Sequence, residues 1–458
     1  MVDTTVGREA VRDPARRPPT APPSAPGTGT GTLGGPAGVV RPSRRRSPLL
    51  RLLDHVLAWP AWVQVLVAYA GSRVVAGLLI VAAARLVQNP AGVGDLHPDY
   101  LDMVVIWDGD WYRQIAEDGY PSHLPHALQG NVDYNGWAFF PLFPMLVRAV
   151  MVTGLPFSLA ASLVNLAAGA GAALVLWQLF RARAADRQHR RLAVLAVGLW
   201  CLLPPAPVLQ VAYSEAVAAL LVAGFLLLLV RRRYLMAVPV VLLLGLTRAI
   251  AAPLVVVVVW HAVARWRARG RTGPAADAFP PRERWTLGAL GTATAASALL
   301  WPLIVGLATG VPSAFFQTQA AWGQKPSDGP FLPWVSWAWG HMGIVGVLLL
   351  LGIVAAGVQQ LAGRHTAWLA GEVRVFGVVY PLYLLAVVRP ITSMWRFLLL
   401  DLPIAAVLAS AAARGSLGRT LSPRWRWRVA GAAVVGLAAM AWWVTVLLTR
   451  TPWADSPP

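Results

Sequence analysis

The feature that most constrains this sequence is a series of long leucine, valine and alanine runs that recur along most of the chain. A helix needs about 20 consecutive, mostly apolar residues to cross a hydrocarbon core of about 30 Å, and several runs reach that length. Only 13% of the residues are charged, against about 25% in soluble domains. We therefore predict an all-α polytopic membrane protein and exclude a soluble enzyme.

Arginines between the apolar runs predict the orientation of the chain, because cytoplasmic loops collect basic residues. Arginines at 44–46 and 51 precede the first run, so the N-terminus is predicted to be cytoplasmic. Residues 1–47, rich in Pro and Gly, should be a disordered tail, and residues 48–449 should form the membrane domain. Because these loops account for the net charge of +19, we expect no nucleic-acid partner.

The same rule predicts about eleven crossings in the cell membrane. It places two longer loops on the outer side, at 88–157 and 309–341, together with a short tail at 450–458. The apolar stretch 139–152 is too short to cross and should be a juxtamembrane or re-entrant helix. The predicted crossings lie near residues 62–87, 158–180, 192–204, 212–230, 235–247, 249–263, 285–308, 342–361, 375–388, 397–413 and 429–448.

Acids beside aromatic rings in the first outer loop suit sugar binding, since rings stack on sugar faces and a carboxylate accepts hydroxyl protons. If the segment is helical, Asp108, Trp111, Tyr112 and Ile115 share one face, whereas Asp110 points elsewhere. The spacing alone therefore does not imply an Asp-x-Asp metal clamp. An interfacial aromatic belt with solvated acids is the alternative.

Ionisable residues at the predicted outer ends of later crossings form a second group: Glu215, Arg248, Arg389 and Arg396. A charge within a membrane span is costly unless it is paired or hydrated, so such residues are functional candidates. Glu215 and Arg248 could also simply neutralise each other.

The histidines and the cysteine decide what metal or disulfide chemistry the sequence allows. His123 and His126, three residues apart in a proline-rich loop, are candidates for a metal or pH-sensing site. Cys201 is the single cysteine, which excludes an intrachain disulfide and makes a cysteine metal site implausible. We predict no metal ligands, and assistance by a divalent cation remains open.

Five short motifs together resemble a bacterial member of the PIG-V-like mannosyltransferases, relatives of the second mannosyltransferase of GPI-anchor assembly. They occur in the family's order and cover most of residues 60–415. The motifs are Trp107-Asp108-Gly109-Asp110-Trp111-Tyr112, Phe139-Phe140-Pro141-Leu142-Phe143-Pro144, Tyr213-Ser214-Glu215, Thr247-Arg248 and Ser393-Met394-Trp395-Arg396-Phe397.

The resemblance implies a GT-C-type bundle that takes mannose from a polyprenyl-phosphate donor, with Asp108 as the catalytic residue. In the inverting transfer that we hypothesise, Asp108 deprotonates the acceptor, while Arg248 and Arg396 neutralise the leaving phosphate. The other predicted substrate-binding residues are Asp110, Trp111, Tyr112 and Glu215.

The acceptor stays open between a glycolipid, a cell-wall glycan and a protein. The rival hypotheses are a transporter or flippase for a lipid-linked sugar, with charge near the midplane and repeats, and a non-catalytic assembly subunit.

Overall fold

The computed structural model describes residues 58–89, 95, 97–128, 130–184, 186–269, 277–324, 328–413 and 424–451. The predicted tail at 1–47 lies outside these residues, as does most of the tail at 450–458. The described residues contain helices and no strand; the bridge between His126 and Val132 is isolated. The predicted all-helical class is therefore confirmed.

The α-helices of the described residues are labelled α1 to α16 in chain order. Short 3-10 segments and one π-helical turn, Val444–Leu448, lie between or after them. The helices are α1 Ala61–Leu86, α2 Tyr100–Val105, α3 Asp108–Glu117, α4 Leu142–Met151, α5 Phe157–Phe180, α6 Arg187–Trp200, α7 Glu215–Val230, α8 Tyr234–Gly245, α9 Ala251–Ala268, α10 Pro281–Thr309, α11 Ala314–Ala321, α12 Leu332–Ala362, α13 Gly371–Val387, α14 Met394–Phe397, α15 Pro403–Ala413 and α16 Trp425–Trp443.

Six helices in the described part of the chain are long and apolar enough to cross a membrane: α1, α5, α9, α10, α12 and α16 with its π-helical turn. A seventh crossing results if α14 and α15, bent by 81° at their junction, count as one span. These helices agree with a multi-pass membrane protein. The four other predicted crossings fall on the shorter helices α6, α7, α8 and α13, so the total of eleven stays a prediction.

The predicted second outer loop, 309–341, contains more helix than the sequence indicated. It includes α11 and the first residues of α12, which has a proline in its first turn, where the missing N–H costs nothing. Helix α12 is kinked at Gly343, whose φ of 57° and ψ of −143° interrupt the helical path. The crossing predicted at 342–361 therefore coincides with the part of α12 beyond the kink.

A proline-rich segment at 201–214, which has no α-helix and one short 3-10 helix at Ala206–Leu209, lies largely buried between α6 and α7. Buried backbone groups need hydrogen-bond partners, and polar side chains of the neighbouring helices supply them. Arg73 of α1 donates to the Cys201 carbonyl at 3.0 Å, and Asn165 of α5 donates to the Tyr213 carbonyl at 2.8 Å. These bonds fix the backbone that leads into α7.

A polar network joins four helices at one end of the bundle. The Tyr234 hydroxyl lies 3.0 Å from His261 Nε2 and donates to Glu283 Oε1 at 2.9 Å. His261 Nδ1 lies 2.7 Å from Glu372, and Arg265 donates to Glu283 at 2.8 Å. Because these residues occupy the start of α8, the end of α9 and the starts of α10 and α13, the network connects helices whose opposite ends lead to the site described below.

Removing the Tyr234 hydroxyl should weaken this junction. Tyr234→Phe takes a partner from His261 and from Glu283, and we expect it to lower the free energy of unfolding by about 1–3 kcal/mol. Denaturant unfolding of purified protein in detergent measures the change. Tyr134→Phe, at a side chain that is 56% exposed, is the matched control, and equal stability of the two variants would contradict the prediction.

Candidate active site

Four charged side chains from separate parts of the chain form one ion-pair cluster. Asp108 begins α3, Glu215 begins α7, Arg248 lies between α8 and α9, and Arg396 belongs to α14. Arg396 Nη2 is 2.5 Å from Asp108 Oδ2, and its Nη1 is 3.5 Å from Glu215 Oε1. Arg248 Nη1 is 2.8 Å from the same Glu215 oxygen. The structure thus brings Asp108, from the first group of candidates, together with three of the four residues in the second group.

The cluster is buried and balanced in charge. The exposed fractions of its side chains are 0% for Glu215, 6% for Arg396, 14% for Asp108 and 18% for Arg248. Two carboxylates and two guanidinium groups compensate each other, which buried charges require. Glu215 and Arg248 do neutralise each other, as the alternative held, but Glu215 is shared with Arg396 and so links both arginines.

Ser214 connects the cluster to α3. Its Oγ accepts hydrogen bonds from Arg248 Nη1 and from the Tyr112 hydroxyl, both at 3.0 Å. Burial raises the pKa of Tyr112, and the nearby Arg248 opposes the shift without cancelling it. The Tyr112 hydroxyl therefore stays protonated and acts as a donor that ties α3 to Arg248.

Aromatic rings pack against both arginines. The Arg396 guanidinium carbon lies 4.9 Å from the Tyr213 ring centroid and 5.2 Å from that of Phe397. The Arg248 guanidinium carbon lies 4.7 Å from the centroid of the same Phe397 ring. Such cation–π contacts help to fix the direction of a guanidinium group, so the arginines have little freedom to turn away from the carboxylates.

Helix α3 has the orientation that its spacing predicts. Tyr112 and Ile115 are buried, whereas the Asp110 side chain is 43% exposed. Asp110 contacts Arg113 at 2.5 Å and Gln114 at 3.0 Å. Among the predicted substrate-binding residues, Asp110 therefore lies outside the ion-pair cluster.

Trp111 also lies outside the cluster and belongs to an aromatic group. Its ring stacks on Phe139 with centroids 5.8 Å apart and meets Trp322 edge-on at 5.5 Å. Phe139 also contacts Tyr112 edge-on, at 5.2 Å. The Phe-Phe-Pro motif and the residue after α11 thus support α3 from one side. Arg389, the fourth residue of the second group, pairs with Asp328 instead.

The backbone around Asp108 is tightly constrained. Trp107 has φ of 61° and ψ of −118°, a conformation that costs a non-glycine residue about 1–3 kcal/mol. Gly109 follows Asp108, and a Cβ there would lie 2.9 Å from the Val104 carbonyl oxygen and 3.3 Å from the Ala212 Cβ. The Val104 oxygen also accepts the Ala212 N–H at 2.9 Å, so the start of α3 fits closely against the segment that leads to Glu215.

Gly109→Ala should therefore displace Asp108 without unfolding the bundle. The added methyl group has to push the backbone of 104 or 212 away, and a displacement of about 1 Å can lower turnover roughly 100-fold. Turnover and melting temperature of the purified variant are the measurements. Gly198→Ala in α6, where a Cβ meets no atom within 4 Å, is the control. Full activity of Gly109→Ala would show that this contact does not position Asp108.

No group of three or more His, Cys, Asp and Glu side chains suitable for a metal ion occurs among the described residues. His123 is exposed, and His126 lies at the isolated bridge with Val132. The structure therefore does not bring these two histidines together with further ligands in the described part of the chain.

Sequence reasoning missed two contributors to the site. Asn165 holds the backbone before Glu215. The sequence did contain a signal for this role, because a lone amide within an apolar span requires a polar partner. Trp107 was part of a motif, but its positive φ has no sequence signal, because tryptophan rarely adopts it.

No protein-family model and no curated protein matches the sequence. Three solved structures of the Archaeoglobus fulgidus oligosaccharyltransferase are similar. The complex with zinc and sulfate has 16% identity and a TM-score of 0.41, over 84% of this chain and 54% of that chain. The form tethered to an acceptor peptide with an NVT sequon has 13% identity and a TM-score of 0.40, over 86% of this chain and 56% of that chain. AglB with an inhibitory peptide and a dolichol-phosphate has 14% identity and a TM-score of 0.40, over 85% of this chain and 56% of that chain.

The chain spans about half the length of these archaeal chains. At these scores the likeness assigns neither a family nor an activity to this chain.

Proposed function

We propose that this chain is a membrane glycosyltransferase of the GT-C type. It transfers a sugar from a polyprenyl-phosphate donor to an acceptor hydroxyl at the outer face of the membrane. The observation that carries the proposal is the meeting of Asp108, Glu215, Arg248 and Arg396 in one buried cluster. Carboxylates and guanidinium groups side by side provide both a base for a hydroxyl and cations for a phosphate.

Asp108 is the general base. Its Oδ2 contacts Arg396, and we assign Oδ1 to the acceptor hydroxyl. The acceptor oxygen forms a bond to the anomeric carbon while the bond from that carbon to the phosphate oxygen breaks, and the proton passes to Asp108. Attack opposite the leaving group inverts the anomeric configuration. The polyprenyl phosphate leaves as an anion and needs no proton.

Arg248 is the cation that meets the leaving phosphate. It is the most exposed member of the cluster, whereas Arg396 is held between Asp108 and Glu215. A cation placed where negative charge develops lowers the barrier, and removing one such group typically costs roughly 10²–10³-fold in turnover. Arg396 then acts mainly by orienting Asp108.

The position of the cluster argues against the transporter hypothesis. Transport sites lie near the midplane, between repeats and on broken helices. Here Asp108 and Glu215 begin their helices, Arg248 lies in the connection between α8 and α9, and only Arg396 belongs to a bent helix pair, α14 with α15. Charges at helix ends suit a reaction at the membrane surface better than passage through the bundle.

The donor sugar is mannose in this proposal, because five ordered motifs resemble the PIG-V-like mannosyltransferases. Membranes that contain the chain should transfer label from radiolabelled polyprenyl-phosphomannose into a product, and NMR of that product should show inverted anomeric configuration. Polyprenyl-phosphate glucose and arabinofuranose are the competing donors. Transfer from one of these alone would keep the reaction class and replace mannose, whereas no transfer from any intact donor would refute the proposal.

A further inference from the structure

Trp107, the residue before Asp108, contacts a segment that lies 341 residues further along the chain. We call residues 444–451 the strap; it consists of the π-helical turn Val444–Leu448 and the three residues after it. The Trp107 indole Nε1 donates to the Leu448 carbonyl at 2.8 Å. The Arg450 guanidinium carbon lies 4.2 Å from the centroid of the same ring. The strap therefore holds both the N–H group and the face of this side chain.

The strap is itself fixed to the end of α1. The backbone N–H of Arg450 donates to Gln88 Oε1 at 2.9 Å, and the Asn89 N–H donates to the Arg450 carbonyl at 3.1 Å. Neither contact involves α3. Trp107 is thus connected to a part of the bundle that does not depend on the ion-pair cluster.

Trp107 needs such an anchor. A non-glycine residue keeps a φ of 61° only where its surroundings impose it, and its carbonyl accepts the Asp110 N–H that starts α3. Ile106 and Trp107 also line a cavity of about 450 Å³. Arg450 of the strap lines the same cavity, so the strap contacts this loop where the loop borders open space.

We propose that the strap positions the catalytic aspartate, with Trp107 and Arg450 as positioning residues. Their contacts hold the left-handed turn that points the Asp108 carboxylate at Arg396. The consequence for turnover rests on the proposed glycosyltransferase function. The inference that the strap holds residues 101–112 in place does not depend on that function.

The test compares three variants. Trp107→Phe keeps a ring but removes the N–H group, Arg450→Gln removes the cation, and Arg450→Lys keeps a cation over the ring. We expect the first two to lower kcat roughly 10-fold to 100-fold with an unchanged KM for the donor, and Arg450→Lys to restore most of the activity. Arg426→Gln, which removes a cation 5.8 Å from the Trp425 ring, is the control and should behave as wild type.

Hydrogen exchange of the full-length protein gives a readout that does not need turnover. Trp107→Phe and Arg450→Gln should speed exchange in residues 101–112 and leave α11 unchanged. Unchanged exchange in 101–112 overturns the proposal, as does faster exchange with a wild-type kcat. If the wild-type chain transfers no sugar from any donor, the proposed function fails, but the exchange experiment still decides whether the strap holds the loop.

Discussion

Asp108→Asn is expected to lower sugar transfer by roughly 10²–10⁴-fold, the usual contribution of one positioned base. Asparagine has the volume of aspartate, and its amide oxygen can still accept from Arg396, so the contact that shapes the cluster is kept. What disappears is the ability to take the acceptor proton. The KM for the lipid donor should change little, because Asp108 faces the acceptor in the proposed mechanism.

The measurement is transfer of radiolabelled mannose by equal amounts of purified, folded protein, assayed below the melting temperature of each variant, because Asp108→Asn leaves the cluster with one excess positive charge. Asp118→Asn, just after α3, removes a carboxylate from the same loop and serves as the control, with activity expected near wild type. Retained turnover in folded Asp108→Asn would remove Asp108 from the mechanism. It would also revive the hypothesis of a non-catalytic assembly subunit, which predicts that the outer acids tolerate replacement.

The sequence alone predicted which residues to examine, because charges beside apolar runs are costly and hence conspicuous. Glu215, Arg248, Arg389 and Arg396 carried that signal, whereas Asp108 was selected as an acid beside aromatic rings. The period of α3 predicted that Asp110 would point away. The pairing could not be predicted. Nothing local to Arg396 indicates that it meets a carboxylate nearly 300 residues earlier, since that contact depends on how the helices between them pack.

In the fold, too, features set by nearby residues were predicted and features set by contacts between distant residues were not. Apolar runs predicted the long helices well, as in α1 and α5, whose bounds nearly match the predicted crossings. Short helices and breaks were harder, because they depend on neighbours. The prolines at 204–207 end α6 early, and the freed backbone groups are tolerated only because side chains such as Arg73 accompany them. The strap was missed for the same reason, since Trp107 and Leu448 adjoin only in the folded chain.

Arg396→Gln is expected to destabilise the protein by about 3–5 kcal/mol, the usual cost of breaking a buried ion pair from one side. Among the residues that the structure describes, Asp108 would lose its ion-pair partner, and Glu215, which is fully buried, would keep Arg248 alone. Arg396→Lys should fold better, because it keeps the charge. It should still lose roughly 10²-fold in turnover, since one ammonium group cannot hold two carboxylates in the geometry that a planar guanidinium fixes.

The double variant Asp108→Asn with Arg396→Gln separates the structural role of Arg396 from the catalytic one. Removing the carboxylate together with its cation leaves no uncompensated charge between these two residues, so part of the stability lost in Arg396→Gln should return. Turnover should not return, because the base is still missing. Denaturant unfolding of the four proteins measures the coupling, and strictly additive losses would mean that the contact between Arg396 and Asp108 contributes nothing to folding. We therefore expect stability to return without turnover. Folding requires the net charge of the cluster to be zero, whereas catalysis requires the Asp108 carboxylate itself.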